Sequence, residues 1–130
     1  MFASAVGSPL VLVVDDYDDS REMFMEALSF SGFRVAQAAT GREALAQAFS
    51  LLPDLILMDL SLPELSGIEA TRCLKDDPRT RRIPIVALTG HGVGRHSKEA
   101  KAAGCESFLT KPCLPDALVG EIRRVLETQK

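Results

Sequence analysis

The chain alternates five short apolar runs with five segments of helical periodicity. LVLVVDD at 10–16 is continuously aliphatic and β-branched, the pattern of a strand buried on both faces. In the next segment Met23, Phe24, Ala27 and Leu28 fall at helical spacing, Asp19 and Glu22 form a capping pair, and Gly32 is a stop. RVAQAA at 34–39 reads as a second strand. Thr40 and Glu43 make a capping box for a helix whose stripe is Ala44, Leu45, Ala48 and Phe49, ended by Pro53. DLILMDL at 54–60 is a third strand, and Ser66 with Glu69 caps the helix after it. IPIVALT at 83–89 is a fourth strand, leading through Gly90, Gly92 and Gly94 to a weak helix around 96–103 that stops at Gly104. SFLT at 107–110 is a fifth strand, and the last helix carries Leu118, Ile122, Val125 and Leu126 on one stripe.

Strands alternating with helices predict a parallel sheet covered on both faces. Right-handed crossovers leave few arrangements. For five strands the commonest is the flavodoxin-like, doubly wound order 2-1-3-4-5, here with five helices. Residues 1–8 read as a short lead-in and 9–130 as one domain, a size that folds without disulfide or metal.

That order changes the meaning of the polar residues at the strand ends. Ligands bind where the strand order reverses, at the carboxyl ends of strands 1 and 3. Asp15 and Asp16 end strand 1 and Asp59 ends strand 3, so three carboxylates meet at one edge. Thr89 ends strand 4 and Lys111 follows strand 5 on the same edge. Three neighbouring carboxylates repel unless a cation is present. Oxygen donors without Cys or His suit a hard ion, Mg²⁺ or Mn²⁺. Such an ion beside a lysine and a hydroxyl suits phosphoryl transfer, with Asp59 as the nucleophile.

Composition narrows the picture further. Net charge is −3 and there is no basic tract, which argues against direct nucleic-acid binding. No apolar run approaches the roughly 18 residues of a membrane span, and MFASAVGSP lacks the features of a signal peptide. Three cysteines, Cys73, Cys105 and Cys113, at irregular spacing read as free thiols in a reducing cytoplasm. Asp54 starts its strand far from the site and reads as exposed. The run DDPRTRR at 76–82 reads as a solvated loop, and His91 and His96 as solvated loop residues.

VVDD at 13–16, LILMDLSLPELSG at 55–67, ALTG at 87–90 and SFLTKP at 107–112 stand in one order and spacing. Together they resemble the receiver domain of two-component response regulators, over about residues 9 to 128. The resemblance implies that Asp59 is the phosphoacceptor. Asp16 would be a direct Mg²⁺ ligand and Asp15 would act through water. The Ser61 carbonyl would be a further ligand. Lys111 would pair with the acceptor and then with phosphoryl oxygens. Thr89 would be the switch hydroxyl and Phe108 the switch aromatic. Lys111–Pro112 would be a cis peptide bond, and Gly90 would keep the approach open. The implied donor is a histidine kinase or histidine phosphotransfer protein. The implied output is the surface of helix 4, strand 5 and helix 5, which binds a downstream protein target. A homodimer stays open, as does a place in a longer protein.

This chain departs from the family at Cys113, where an aromatic is common, and at Phe108, where Tyr is common. Ser61 and His91 stand where, in the family that the chain resembles, residues tune the dephosphorylation rate. Three alternatives arise from the same residues. A haloacid-dehalogenase-like phosphatase also uses a strand-end Asp with Mg²⁺, but wants an acid where Ser61 stands. A pseudo-receiver would bind partners without phosphate, and the intact acid set argues against it. A flavin- or nucleotide-binding module would want an anion-friendly turn after strand 1, where DDYDD repels phosphate. The expected role is therefore signalling and not enzymatic turnover.

Overall fold

The computed structural model of the chain describes residues 7–90 and 93–129, and of residues 93–97 the backbone alone. The elements are β1 (Leu10–Val14), α1 (Asp18–Phe30), β2 (Arg34–Ala38), α2 (Gly41–Leu51), β3 (Leu55–Asp59), α3 (Gly67–Asp76), β4 (Ile85–Thr89), α4 (Val93–Ala103), β5 (Ser107–Thr110) and α5 (Pro115–Thr128). The strands form one parallel sheet in the order β2-β1-β3-β4-β5. This is the expected doubly wound architecture.

The core has two sides because successive strand residues point to opposite faces. Leu12, Val14, Ile56, Met58, Ile85 and Ala87 face α2, α3 and α4, meeting Ala44, Ala48, Leu74 and Ala100. Val11, Val13, Leu55, Leu57, Val86 and Leu88 face α1 and α5, meeting Phe24, Leu28, Leu118 and Ile122. Every residue of β3 and of β4 is buried, so burial at roughly 1.5–3 kcal/mol per large side chain fixes both strands firmly. Whatever sits at their ends inherits that rigidity.

The capping boxes of α2 and α3 form: the Glu43 amide donates to Thr40 Oγ1 at 3.1 Å and the Glu69 amide to Ser66 Oγ at 3.2 Å. α1 is different. Its N-cap is Tyr17, without a side-chain cap bond, and Asp18 and Asp19 instead place negative charge in the first turn, where the helix dipole favours it. The expected Asp19–Glu22 pair therefore does not cap the helix. The buried stripe of α1 is also rotated from expectation. Phe24 and Leu28 are buried and Met25 and Ala27 partly so, whereas Met23 faces solvent, 43% exposed. α4 begins at Val93, earlier than the glycines implied. Gly94 is its second residue, and a glycine inside a helix costs only about 1 kcal/mol. His91 and Gly92 lie outside the described residues, as does the side chain of His96.

Two segments expected to be merely solvated carry local bonds. Asp54 Oδ2 accepts from the Leu10 amide at 2.7 Å, satisfying the first N–H of β1. In the 76–82 segment, whose first residue closes α3, Thr80 is buried and donates to the Leu74 carbonyl at 2.6 Å, and Arg79 lies 4.7 Å from the centroid of the Phe49 ring.

Candidate functional site

The order of the strands brings β1 beside β3, with Val14 paired to Met58. The next residues along, Asp15 and Asp59, therefore share the sheet's carboxyl edge. Asp15 is wholly buried and Asp59 is 3% exposed, while Asp16 is exposed. Asp15, Asp16 and Asp59 each offer a carboxylate oxygen, and these oxygens lie within 4.8 Å of one another.

A lysine from the far side of the chain answers two of the three. Lys111 Nζ donates to Asp15 Oδ2 at 2.9 Å and to Asp59 Oδ2 at 3.1 Å. Its position is set by the backbone: the Lys111 amide donates to the Thr89 carbonyl at 2.8 Å, continuing the β4–β5 ladder by one bond. The Lys111–Pro112 peptide bond is cis. The other oxygens are also held. Asp59 Oδ1 accepts from the Ser61 amide at 2.8 Å and Asp15 Oδ1 from the Tyr17 amide at 2.9 Å.

Burial pushes the Asp59 carboxyl above the ordinary carboxylate range, and Asp15 adds to the push; the Ser61 amide and the Lys111 ammonium oppose it without cancelling it. For Lys111 burial works toward a lower value, but the paired carboxylates of Asp15 and Asp59 outweigh it and hold the ammonium above its ordinary value. Both members of the pair thus shift upward. The shared cause is a buried acid whose charge is only partly compensated by one lysine, and that leaves room for a second cation.

Thr89 ends β4, in the strand beside Asp59's, and is 3% exposed. Phe108 pairs in register with Ala87 and packs, half-buried, against the cluster on the α2–α4 side of the sheet. Gly90 has open space where a Cβ would stand. An apolar pocket of about 450 Å³ opens beside Lys111, lined by Ser20, Met23, Phe24, Gly90, Pro112 and Cys113.

The sequence reading did not single out Arg21, which sits in the first turns of α1 and bonds the turn that carries the acids. Its signal in the sequence is weak. It lies six residues after Asp15, and only the path of the helix reveals that it points back.

This fold with this acid set defines a class. The model of the response regulator receiver domain matches residues 11–123, and the chain belongs to that family. It is 35% identical over 116 residues to the polar-differentiation response regulator DivK of Brucella ovis, an alignment covering 89% of this chain and 94% of DivK. Among solved structures it is similar to the chemotaxis protein CheY4 of Vibrio cholerae, with TM-score 0.87, 34% identity, and 92% of this chain and 99% of that one covered. It is also similar to the receiver domain of the sensor histidine kinase PA1611 of Pseudomonas aeruginosa, with TM-score 0.81, 31% identity, and 95% and 98% covered. That structure has a magnesium ion coordinated in its active-site cleft. The chain is therefore a phosphoacceptor receiver domain of two-component signalling, and the comparisons support neither the phosphatase nor the pseudo-receiver alternative. Receiver domains are in general signalling modules. No helix among the described residues is long and apolar enough to cross a membrane.

Proposed function

We propose that Asp59 accepts the phosphoryl group and that Asp15, Asp16, Asp59 and the Ser61 carbonyl hold the divalent ion that the reaction requires. The observation that carries this reading is Lys111 bridging Asp15 and Asp59 at the buried end of β3, with Asp16 beside them. The donor set fits the ion. It is all oxygen, it is under-compensated by one lysine, and hard oxygen donors select Mg²⁺, with Mn²⁺ as a substitute. When bound, the ion neutralises oxygens of the incoming phosphoryl group.

The chain's own residues do the rest. The Ser61 amide holds one Asp59 oxygen and Lys111 the other, so the carboxylate is oriented before a donor arrives. A carboxylate oxygen of Asp59 bonds to phosphorus while the bond from phosphorus to the donor breaks, and the donor leaves with that electron pair. Lys111 then has phosphoryl oxygens within reach as well as Asp15. Phosphorylation replaces one negative charge by nearly two and adds acceptor oxygens. Thr89, next to Asp59's strand, donates to one of them. Phe108 moves with it, because it packs on Ala87, two residues before Thr89 in β4. The face of α4, β5 and α5 changes in consequence, and a downstream protein reads it. Phosphorylation biases this equilibrium by its differential contacts. The donor is a histidine kinase or histidine phosphotransfer protein, the setting the cytoplasm.

The test is intact mass after incubation with Mg²⁺ and acetyl phosphate, with Asp59→Asn alongside. One phosphoryl group on the wild type alone is expected. A group on both proteins would move the acceptor elsewhere.

A further inference from the structure

The acid corner is held by a residue outside the acid set. Arg21 is 12% exposed at its side chain and spends its donors on three separate segments. Its NH1 donates to the Asp15 carbonyl at 2.9 Å, its Nε to Gln37 Oε1 on β2 at 2.8 Å, and its NH2 to Asp18 Oδ1 at 2.6 Å. Gln37 is tied in turn to α2, since Gln47 Nε2 donates to its carbonyl at 3.3 Å. The guanidinium thus spans the β1–α1 turn, the edge strand and the first turn of α1.

Asp16 is the member of the triad with no side-chain partner among the described residues. Asp15 and Asp59 are both fixed through their carboxylates, by backbone amides and by Lys111. Asp16 has only its backbone to aim it. The peptide that leads into Asp16 is the one whose carbonyl Arg21 grips, and a peptide unit is planar. Fixing that oxygen fixes the direction in which Asp16 leaves the turn. The same guanidinium draws Asp18 to itself, and Asp18 is 77% exposed at its side chain.

We infer that Arg21 is a positioning residue for the divalent ion: it aims Asp16 into the acid corner through the Asp15–Asp16 peptide, with Gln37 as its anchor. This rests on the proposed role of the acids as ion ligands. It carries a sign that a plain charge effect would reverse. Arg21 is a permanent cation, so if it acted only by its charge, removing it would strengthen cation binding. If it positions Asp16, removing it weakens binding. Lysine keeps the charge but has no planar fork to reach three segments.

The chain has one tyrosine, Tyr17, and no tryptophan. Tyr17 adjoins Asp16, so its fluorescence is expected to change as the ion binds in a titration of the full chain with Mg²⁺. Arg21→Ala, Arg21→Lys and Gln37→Ala would be titrated beside wild type, each below its melting temperature measured in EDTA. Loss of a group that orients a metal ligand typically weakens binding 10–100-fold. Both Arg21 variants are expected to bind Mg²⁺ at least ~10-fold more weakly, and Gln37→Ala several-fold. Unchanged binding in Arg21→Lys, or tighter binding in Arg21→Ala, would overturn the inference. So would a lower melting temperature with unchanged Mg²⁺ affinity, the mark of a structural role alone. Should Arg21→Ala fail to fold, Arg21→Lys and Gln37→Ala decide the matter by the same criteria. A wild type that neither responds to Mg²⁺ nor takes a phosphoryl group would instead overturn the assignment of the acids, and the inference with it.

Discussion

Gly67 opens α3 against the backbone of Asp59: a Cβ on Gly67 would stand 2.2 Å from the Asp59 carbonyl oxygen and 2.8 Å from the Leu60 Cα. Both neighbours are backbone at the end of a buried strand, so neither can yield cheaply. Gly67→Ala is expected to cost about 2–3 kcal/mol and to slow phosphorylation by acetyl phosphate, because Asp59 must shift. Urea unfolding and the phosphorylation rate, measured together, check this. A stable variant with the wild-type rate would show that the helix start moves without disturbing Asp59.

The three crowded carboxylates predict that the site is maintained at the expense of stability. Asp59→Asn removes one buried charge and its repulsion with Asp15, while Lys111 keeps Asp15 as a partner. In EDTA the variant is expected to be more stable than wild type by about 1–2 kcal/mol. Saturating Mg²⁺ is expected to narrow the gap, since an ion that binds the folded state stabilises it. Thermal melts with and without Mg²⁺ decide it, and an Asn variant less stable in EDTA would contradict the account.

Cys105 provides a pH signature away from the site. Burial pushes its thiol from the ordinary 9.0 up to about 11, with the nearby Thr71 hydroxyl opposing. Between those values the folded chain keeps a proton that the unfolded chain has released, so stability falls as pH rises from about 9 to about 11. The corresponding loss is roughly 2–3 kcal/mol. Unfolding curves of wild type and Cys105→Ala at pH 7.5 and 10.5 isolate it: wild type should lose more across that interval. Alkylation at pH 8 should modify exposed Cys73 first, the half-buried Cys113 more slowly, and Cys105 only on unfolding.

Leu52 closes α2 in the left-handed region, at φ 47°, and is 54% exposed. A side chain gains little there and strains the backbone. Leu52→Gly is expected to stabilise by about 0.5–1 kcal/mol, raising the melting temperature by roughly 2–4 °C. A fall would mean that Leu52's remaining contacts outweigh its strain.

Most of this arrangement is legible in the sequence because two strong signals agree. The apolar runs that become β1, β3 and β4 are unbroken, and each ends in a polar residue. Once the strand order is 2-1-3-4-5, Asp15, Asp59, Thr89 and Lys111 have to meet. The less legible parts depend on rotation and reach. Met23 lies at the margin of the buried stripe of α1, about 40° around the helix axis from the partly buried Ala27, a difference that periodicity does not resolve. α1 starts without the expected cap: its N-cap is Tyr17, and the turn before the helix is held by the Arg21 guanidinium and the Asp15 carboxylate. Arg21 itself reads as an ordinary surface residue until the helix path is known. Asp54 looks solvated until β1 begins beside it and needs an acceptor for the Leu10 amide.

The lysine that balances the buried acids is carried just past the last strand, 96 residues after Asp15. During synthesis the acids leave the ribosome first. A chain that has completed only β1 to β4 holds Asp15 and Asp59 without their cation and an open edge along β4. The arrival of β5 closes that edge and delivers Lys111 in the same event. The balance of charge at the buried acids is therefore settled only when the last strand joins the sheet.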